Sequence, residues 1–163
     1  MSEVLLADET WSGGCQCGAV RFHVGRVKRS TICHCRMCQK AFGSYFGPLV
    51  MVEDVTWTRG APKLFHSSNL ARRGFCADCG TPLCYIDDEG GIELAGGAFD
   101  NPAAVAPVLQ INVTGRQPFF DGLPTVPHHT RVELEAEFNS RVINYQHPDH
   151  DTAEWSPRLG EQA

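Results

Sequence analysis

The chain has 163 residues, 42% hydrophobic and 20% charged, which suits one globular domain with a real core. Its apolar runs all fall short of the roughly 18 residues a membrane span needs, and a net charge of −5 argues against a nucleic-acid protein. The acidic opening "MSEVLLADET" lacks the basic, apolar and small-residue order of an export signal, so the expected compartment is a reducing cytoplasm.

Residues 1–12 read as a leader joining the fold. From "GAVRFHVG" (18–25) onward the pattern is short and β-like. The segments "SYFGPLVMV" (44–52), "VTWTR" (55–59), "KLFHS" (63–67), "PLCYID" (82–87), "GIELAGG" (91–97) and "VLQINV" (108–113) are of strand length. Asp54, Gly60–Pro62, Asp88–Gly91 and Asn101–Pro102 punctuate them as turns. One short helix is expected in "RMCQKAFG", ended by Gly43. Together these predict a mainly β protein with one unit from residue 13 to about 130. The polar stretch 131–163 is a C-terminal extension that could add a helix or strand near 131–145, with the last 15 residues or so as a loose tail.

Eight cysteines dominate the chemistry: Cys15, Cys17, Cys33, Cys35, Cys38, Cys76, Cys79 and Cys84. In a reducing compartment such tight spacing favours metal over a disulfide scaffold. "CQCG" and "CADCG" each carry a glycine after the second cysteine, which suits a tight turn that points backbone N–H groups at sulfur. The simplest partition joins Cys15, Cys17, Cys76 and Cys79 in a closed structural site and leaves Cys33, Cys35 and Cys38 with an open position, the layout of a catalytic zinc. A rival partition builds a ribbon from Cys35, Cys38, Cys76 and Cys79, and spacing alone permits it. Cys84 lies in an apolar run and reads as a buried thiol, or as a fourth ligand to the second site.

Residues 10–52 contain no Asp or Glu but include Arg21, Arg26, Lys28, Arg29, Arg36 and Lys40. They could meet an anionic substrate or offset thiolate charge. His34, between two ligand positions, should point away from their metal; it reads as a surface or capping residue, or as one that lines the pocket or makes an outer-shell hydrogen bond. His128, His129, His147 and His150 have no partner ligands at suitable spacing and read as loop residues. Nucleotide, dinucleotide and serine-hydrolase motifs are absent.

The ordered set "GGCQCGAVRF" (13–22), "CHCRMCQKAFGS" (33–44) and "RRGFCADCGTPL" (72–83), running to "DGLP" (121–124), resembles the glutathione-dependent formaldehyde-activating family, the CENP-V/GFA domain. The resemblance implies the first partition: structural zinc on Cys15, Cys17, Cys76 and Cys79, and catalytic zinc on Cys33, Cys35 and Cys38, two zincs per chain. It implies an Mss4-like fold of small curled antiparallel sheets around the metal sites. The implied activity is that of a carbon–sulfur lyase, condensing glutathione with formaldehyde to S-hydroxymethylglutathione. Arg36 or Lys40 could hold the thiol's carboxylates, and His34, Ser44 and Tyr45 are near enough in sequence to serve the substrate. Two other readings stand beside it: a non-catalytic zinc module for a protein partner, and a thiol-based redox or metal sensor.

Overall fold

The computed structural model describes residues 11–128 and 130–156. Within them the chain is mainly β. The strands are β1 (Trp11–Gly14), β2 (Arg21–Cys33), β3 (Gly47–Arg59), β4 (Lys63–His66), β5 (Ala71–Phe75), β6 (Pro82–Asp87), β7 (Ile92–Ala95) and β8 (Leu109–Ile111). The helices are α1 (Arg36–Phe42) and α2 (Val132–Ser140), with several single turns of 3₁₀ helix after β7. Hydrogen bonds link the strands in one path, β1-β2-β3-β7-β6-β5-β4, antiparallel throughout. The short β8 adds to β2 in parallel, through Thr31, Ile32 and Cys33.

Asp54 is not a turn. The segments expected at 44–52 and 55–59 are one long strand, kinked where Asp54 takes φ 56°. Gly25 lies across from it, and a Cβ there would come 2.8 Å from the Asp54 Cβ, so the kink needs glycine on the facing strand. The expected helix is α1, and Gly43 ends it with φ 57°.

The core gathers inward residues of β2, β3, β6 and β7, among them Phe22, Val24, Val50, Val52, Leu83 and Leu94. Phe22 meets Trp57 and Phe99 edge-on at 5.9 and 5.2 Å. Gly13 in β1 allows that packing, since a Cβ there would sit 2.4 Å from the Phe22 ring.

Two expectations need correction. The leader was expected to run to residue 12, but Trp11 and Ser12 belong to β1, where Trp11 is buried and pairs with Val24. Its first ten residues, like His129, lie outside the described residues. Of the loose tail expected over about the last 15 residues, 157–163 lie outside the described residues, whereas the part up to Trp155 is held in place. Arg21, 3% exposed, binds Asp100 and Asp151 with its guanidinium. Arg59 donates to the Thr152 carbonyl at 2.6 Å, and Trp155 packs on the core.

Candidate metal centres and the cavities beside them

The first cysteine set is built by two similar turns. After β1, the Cys15 N–H donates to the Val20 carbonyl and the Gly18 N–H to the Cys15 carbonyl. After β5, the Cys76 N–H donates to the Thr81 carbonyl and the Gly80 N–H to the Cys76 carbonyl. Gly18 and Gly80 have φ of 81° and 77°, the left-handed conformation that favours glycine. The two turns bring Cys15, Cys17, Cys76 and Cys79 together, all four sulfurs within 4.8 Å of one another. The Cys15 and Cys17 sulfurs are 3.6 Å apart, and those of Cys17 and Cys76 are 3.8 Å apart. Four thiolates about 2.3 Å from one tetrahedral ion would stand roughly 3.8 Å apart, so this donor set fits a metal such as zinc. The Val20 N–H donates to the Cys15 sulfur at 3.2 Å.

The second set lies where β2 runs into α1. Cys33 ends β2, Cys35 caps α1 and Cys38 sits one turn in; their sulfurs also lie within 4.8 Å of one another. The Cys38 N–H donates to the Cys35 sulfur at 3.4 Å. Among the described residues no fourth histidine, cysteine or carboxylate joins this group. The ribbon partition of Cys35 and Cys38 with Cys76 and Cys79 is therefore not the one the fold makes. Cys84 belongs to neither set. It is buried on β6 behind Gly74, and burial pushes its thiol up to about 11.

Crowded sulfurs hold one negative charge more easily than several. Burial pushes Cys38 up to about 12, against the pull of Arg73. Burial acts the same way on Cys35, but N–H groups of α1 and the neighbouring sulfurs outweigh it and bring that thiol below its ordinary value. In the first set burial raises Cys17, whereas at Cys79 burial is outweighed by bonds from Thr81 and Cys17, which bring the thiol down to about 6. A cation among the sulfurs would favour the thiolate form of the crowded thiols.

Two donors to the second set were not anticipated from sequence. Arg73 on β5 donates from Nη2 to the Cys38 sulfur at 3.3 Å. Asn112, just after β8, donates from Nδ2 to the Cys33 sulfur at 3.2 Å. Asn112 holds φ 53°, a conformation asparagine tolerates better than most residues. Neither residue type at these positions signals a role; both arrive through strand pairing.

Arg36, Lys40, Ser44 and Tyr45, expected near the substrate, do come together. They line one cavity of about 650 Å³ with Gln39, Gly43 and Gln117. A second cavity of about 450 Å³ lies across α1 and shares Arg36 and Lys40; its other walls include Phe42, Phe65, Phe75 and Arg73. His34 lines neither. Its ring is fully buried, edge-on to Phe120 at 4.7 Å, with Nε2 hydrogen-bonded to Gln110 at 2.9 Å. It stands behind the site and not in it. In the basic stretch at 26–29, Lys28 and Arg26 bridge Glu53 at 2.7 and 3.6 Å.

Fold and site define a mainly β protein organised around two clusters of cysteine thiols, one of four and one of three. Residues 10–115 match the family of glutathione-dependent formaldehyde-activating enzymes, and the chain belongs to that family. The chain is also similar to the crystal structure of a Rhodobacter sphaeroides protein, at 21% identity and a TM-score of 0.50, covering 61% of this chain and 98% of that one. That likeness concerns the fold alone. No curated protein matches the chain. No helix among the described residues is long and apolar enough to cross a membrane.

Proposed function

We propose that this protein condenses a thiol, glutathione or a similar one, with formaldehyde or another small aldehyde to give an S-hydroxyalkyl thiol, as a zinc-dependent carbon–sulfur lyase with two zincs per chain. The reading rests on one observation: in a chain of this family, three cysteine sulfurs converge with no fourth ligand among the described residues, close to two cavities that share Arg36 and Lys40. Cys15, Cys17, Cys76 and Cys79 would hold a closed structural ion, with no room for substrate. Cys33, Cys35 and Cys38 would hold the second, which when bound supplies a vacancy that keeps a substrate thiol ionised and nucleophilic at neutral pH.

The protein's own groups then have definite tasks. Arg36 and Lys40 offer positive charge to the carboxylates of the thiol, and Ser44 and Tyr45 offer hydroxyls along the same cavity. Asn112 and Arg73 fix the sulfurs of Cys33 and Cys38 by hydrogen bonds, as outer-shell donors do for metal ligands. The assignment is tested by zinc content together with glutathione–formaldehyde exchange followed by NMR. Wild type is expected to carry near two zincs and accelerate exchange, and Cys35→Ser to lose the acceleration. Fully loaded wild type without acceleration would sink it.

A further inference from the structure

Arg73 has an unusual setting. It is 9% exposed, its guanidinium lies 5.2 Å over the Tyr85 ring, and Nη2 donates to the Cys38 sulfur. Its Nε is buried with no hydrogen-bond partner, although buried donors nearly always have one. The residue also lines the cavity between α1 and the strands β4, β5 and β6. Most of the remaining wall is apolar: Met37, Ala41, Phe42, Phe65, Phe75 and Pro82. The cavity therefore offers a largely hydrophobic body with Arg36 and Lys40 also in its wall, and a buried cation, Arg73, that links it to the Cys38 sulfur.

We propose that this cavity is the aldehyde subsite, that Arg73 is a catalytic residue holding the aldehyde oxygen, and that the apolar walls select an aldehyde with a hydrophobic substituent over formaldehyde. This rests on the thiol–aldehyde reading above. In the step, the thiol has released its proton to solvent. Its sulfur forms a bond to the carbonyl carbon, and the carbon–oxygen π pair moves onto oxygen. The guanidinium, which stays protonated at any working pH, stabilises that oxygen by N–H donation and does not protonate it. Water then returns the proton, so that thiol and aldehyde together equal product. A cation fixed by Tyr85 and Cys38 needs no rearrangement as charge develops on oxygen, which is what makes such donors effective. A cavity of about 450 Å³ is far larger than formaldehyde requires.

The test uses the full-length, zinc-loaded chain with glutathione and either formaldehyde or hexanal, as wild type, Arg73→Gln and Arg73→Lys. Exchange is followed by NMR. In parallel, metal content and the thiolate-to-cobalt absorption bands of the cobalt-substituted protein are recorded with and without glutathione. Expected are a wild-type preference for hexanal of about tenfold or more in kcat/KM, and a loss of about 10² in kcat for Arg73→Gln with both aldehydes. Arg73→Lys should recover part of it. Both variants should still load with metal at saturating concentration, with only a small shift of the cobalt bands from loss of the bond to Cys38, and the kcat loss should persist in the fully loaded protein. Arg73→Gln within threefold of wild type, or loss of metal in both variants, would overturn the catalytic role; a preference for formaldehyde would overturn the subsite. Wild type inactive with both aldehydes would instead bring down the thiol–aldehyde reading, and this one with it.

Discussion

The Trp155 indole N–H donates to the carbonyl oxygen of Cys17 at 2.8 Å, tying the C-terminal segment to a turn of the four-cysteine cluster. His147 reinforces the attachment: its N–H donates to the Gln16 carbonyl at 2.8 Å. The segment lies beyond residues 10–115, which match the family.

The first prediction concerns that attachment. Trp155→Ala removes one hydrogen bond of about 1 kcal/mol and an apolar contact with the core. Metal should leave the four-cysteine set several-fold faster, measured by transfer to a chromogenic chelator. Trp155→Phe, which keeps a ring but not the donor, should fall between. Release unchanged in both would mean the segment does not protect the cluster.

Acid should loosen the same attachment. At Asp100 burial would raise the carboxyl, but bonds from Arg21 and Ser12 outweigh it and hold the group below its usual range. At Asp151 burial is likewise outweighed, by His23 and Arg21. A depressed native value stabilises the fold fully above the unfolded value of about 3.9 and loses that contribution as pH falls through the native value. Wild-type stability should therefore drop below about pH 4. Asp100→Asn should be less stable at neutral pH and show a flatter acid limb, read by urea unfolding against pH.

Cys84 should be dispensable for metal. Cys84→Ala is expected to keep wild-type metal content, because the thiol stands outside both clusters. Cys84→Ser should also keep it, at about 1–3 kcal/mol in stability for a hydroxyl buried without a good partner. A metal deficit in Cys84→Ala would make Cys84 a ligand after all.

Asn112 offers a separate test of the three-cysteine set. Asn112→Gly keeps a residue comfortable at φ 53° and deletes only the bond to the Cys33 sulfur. Loss of such an outer-shell partner typically weakens metal binding about 10–100-fold, so competition with a calibrated chelator should show a weaker second site and an unchanged first. Equal weakening of both sites would point to general damage.

What could be read from the sequence was what short spacing controls. The clusters follow from cysteines one or two residues apart, from the glycines at 18 and 80 that turn the chain behind them, and from Gly43 stopping α1. The donors Arg73 and Asn112 escaped because each reaches its sulfur across the fold, from 35 and 79 residues away. β5 itself was hidden: "ARRGF" breaks the usual alternation by turning an arginine inward. Asp54 suggested a turn because its type usually marks one, whereas the facing Gly25 lets β3 continue. The polar last 15 residues or so had composition typical of a tail, and partners far up the chain, among them Arg21, Arg59 and the Gln16 and Cys17 carbonyls, give their described part a fixed course.

The two cysteine clusters differ in how much chain must be ordered before each exists. Cys33, Cys35 and Cys38 span six residues, so an unfolded chain can already bring their sulfurs near one another. Cys17 and Cys76 lie 59 positions apart and meet only when β1 and β5 both hold their places in the sheet. Closing so long a loop is entropically costly and slow compared with a local turn. Metal capture at the near set can thus precede folding, while capture at the distant set marks its completion. If both clusters hold metal, refolding with limiting metal should fill them in that order.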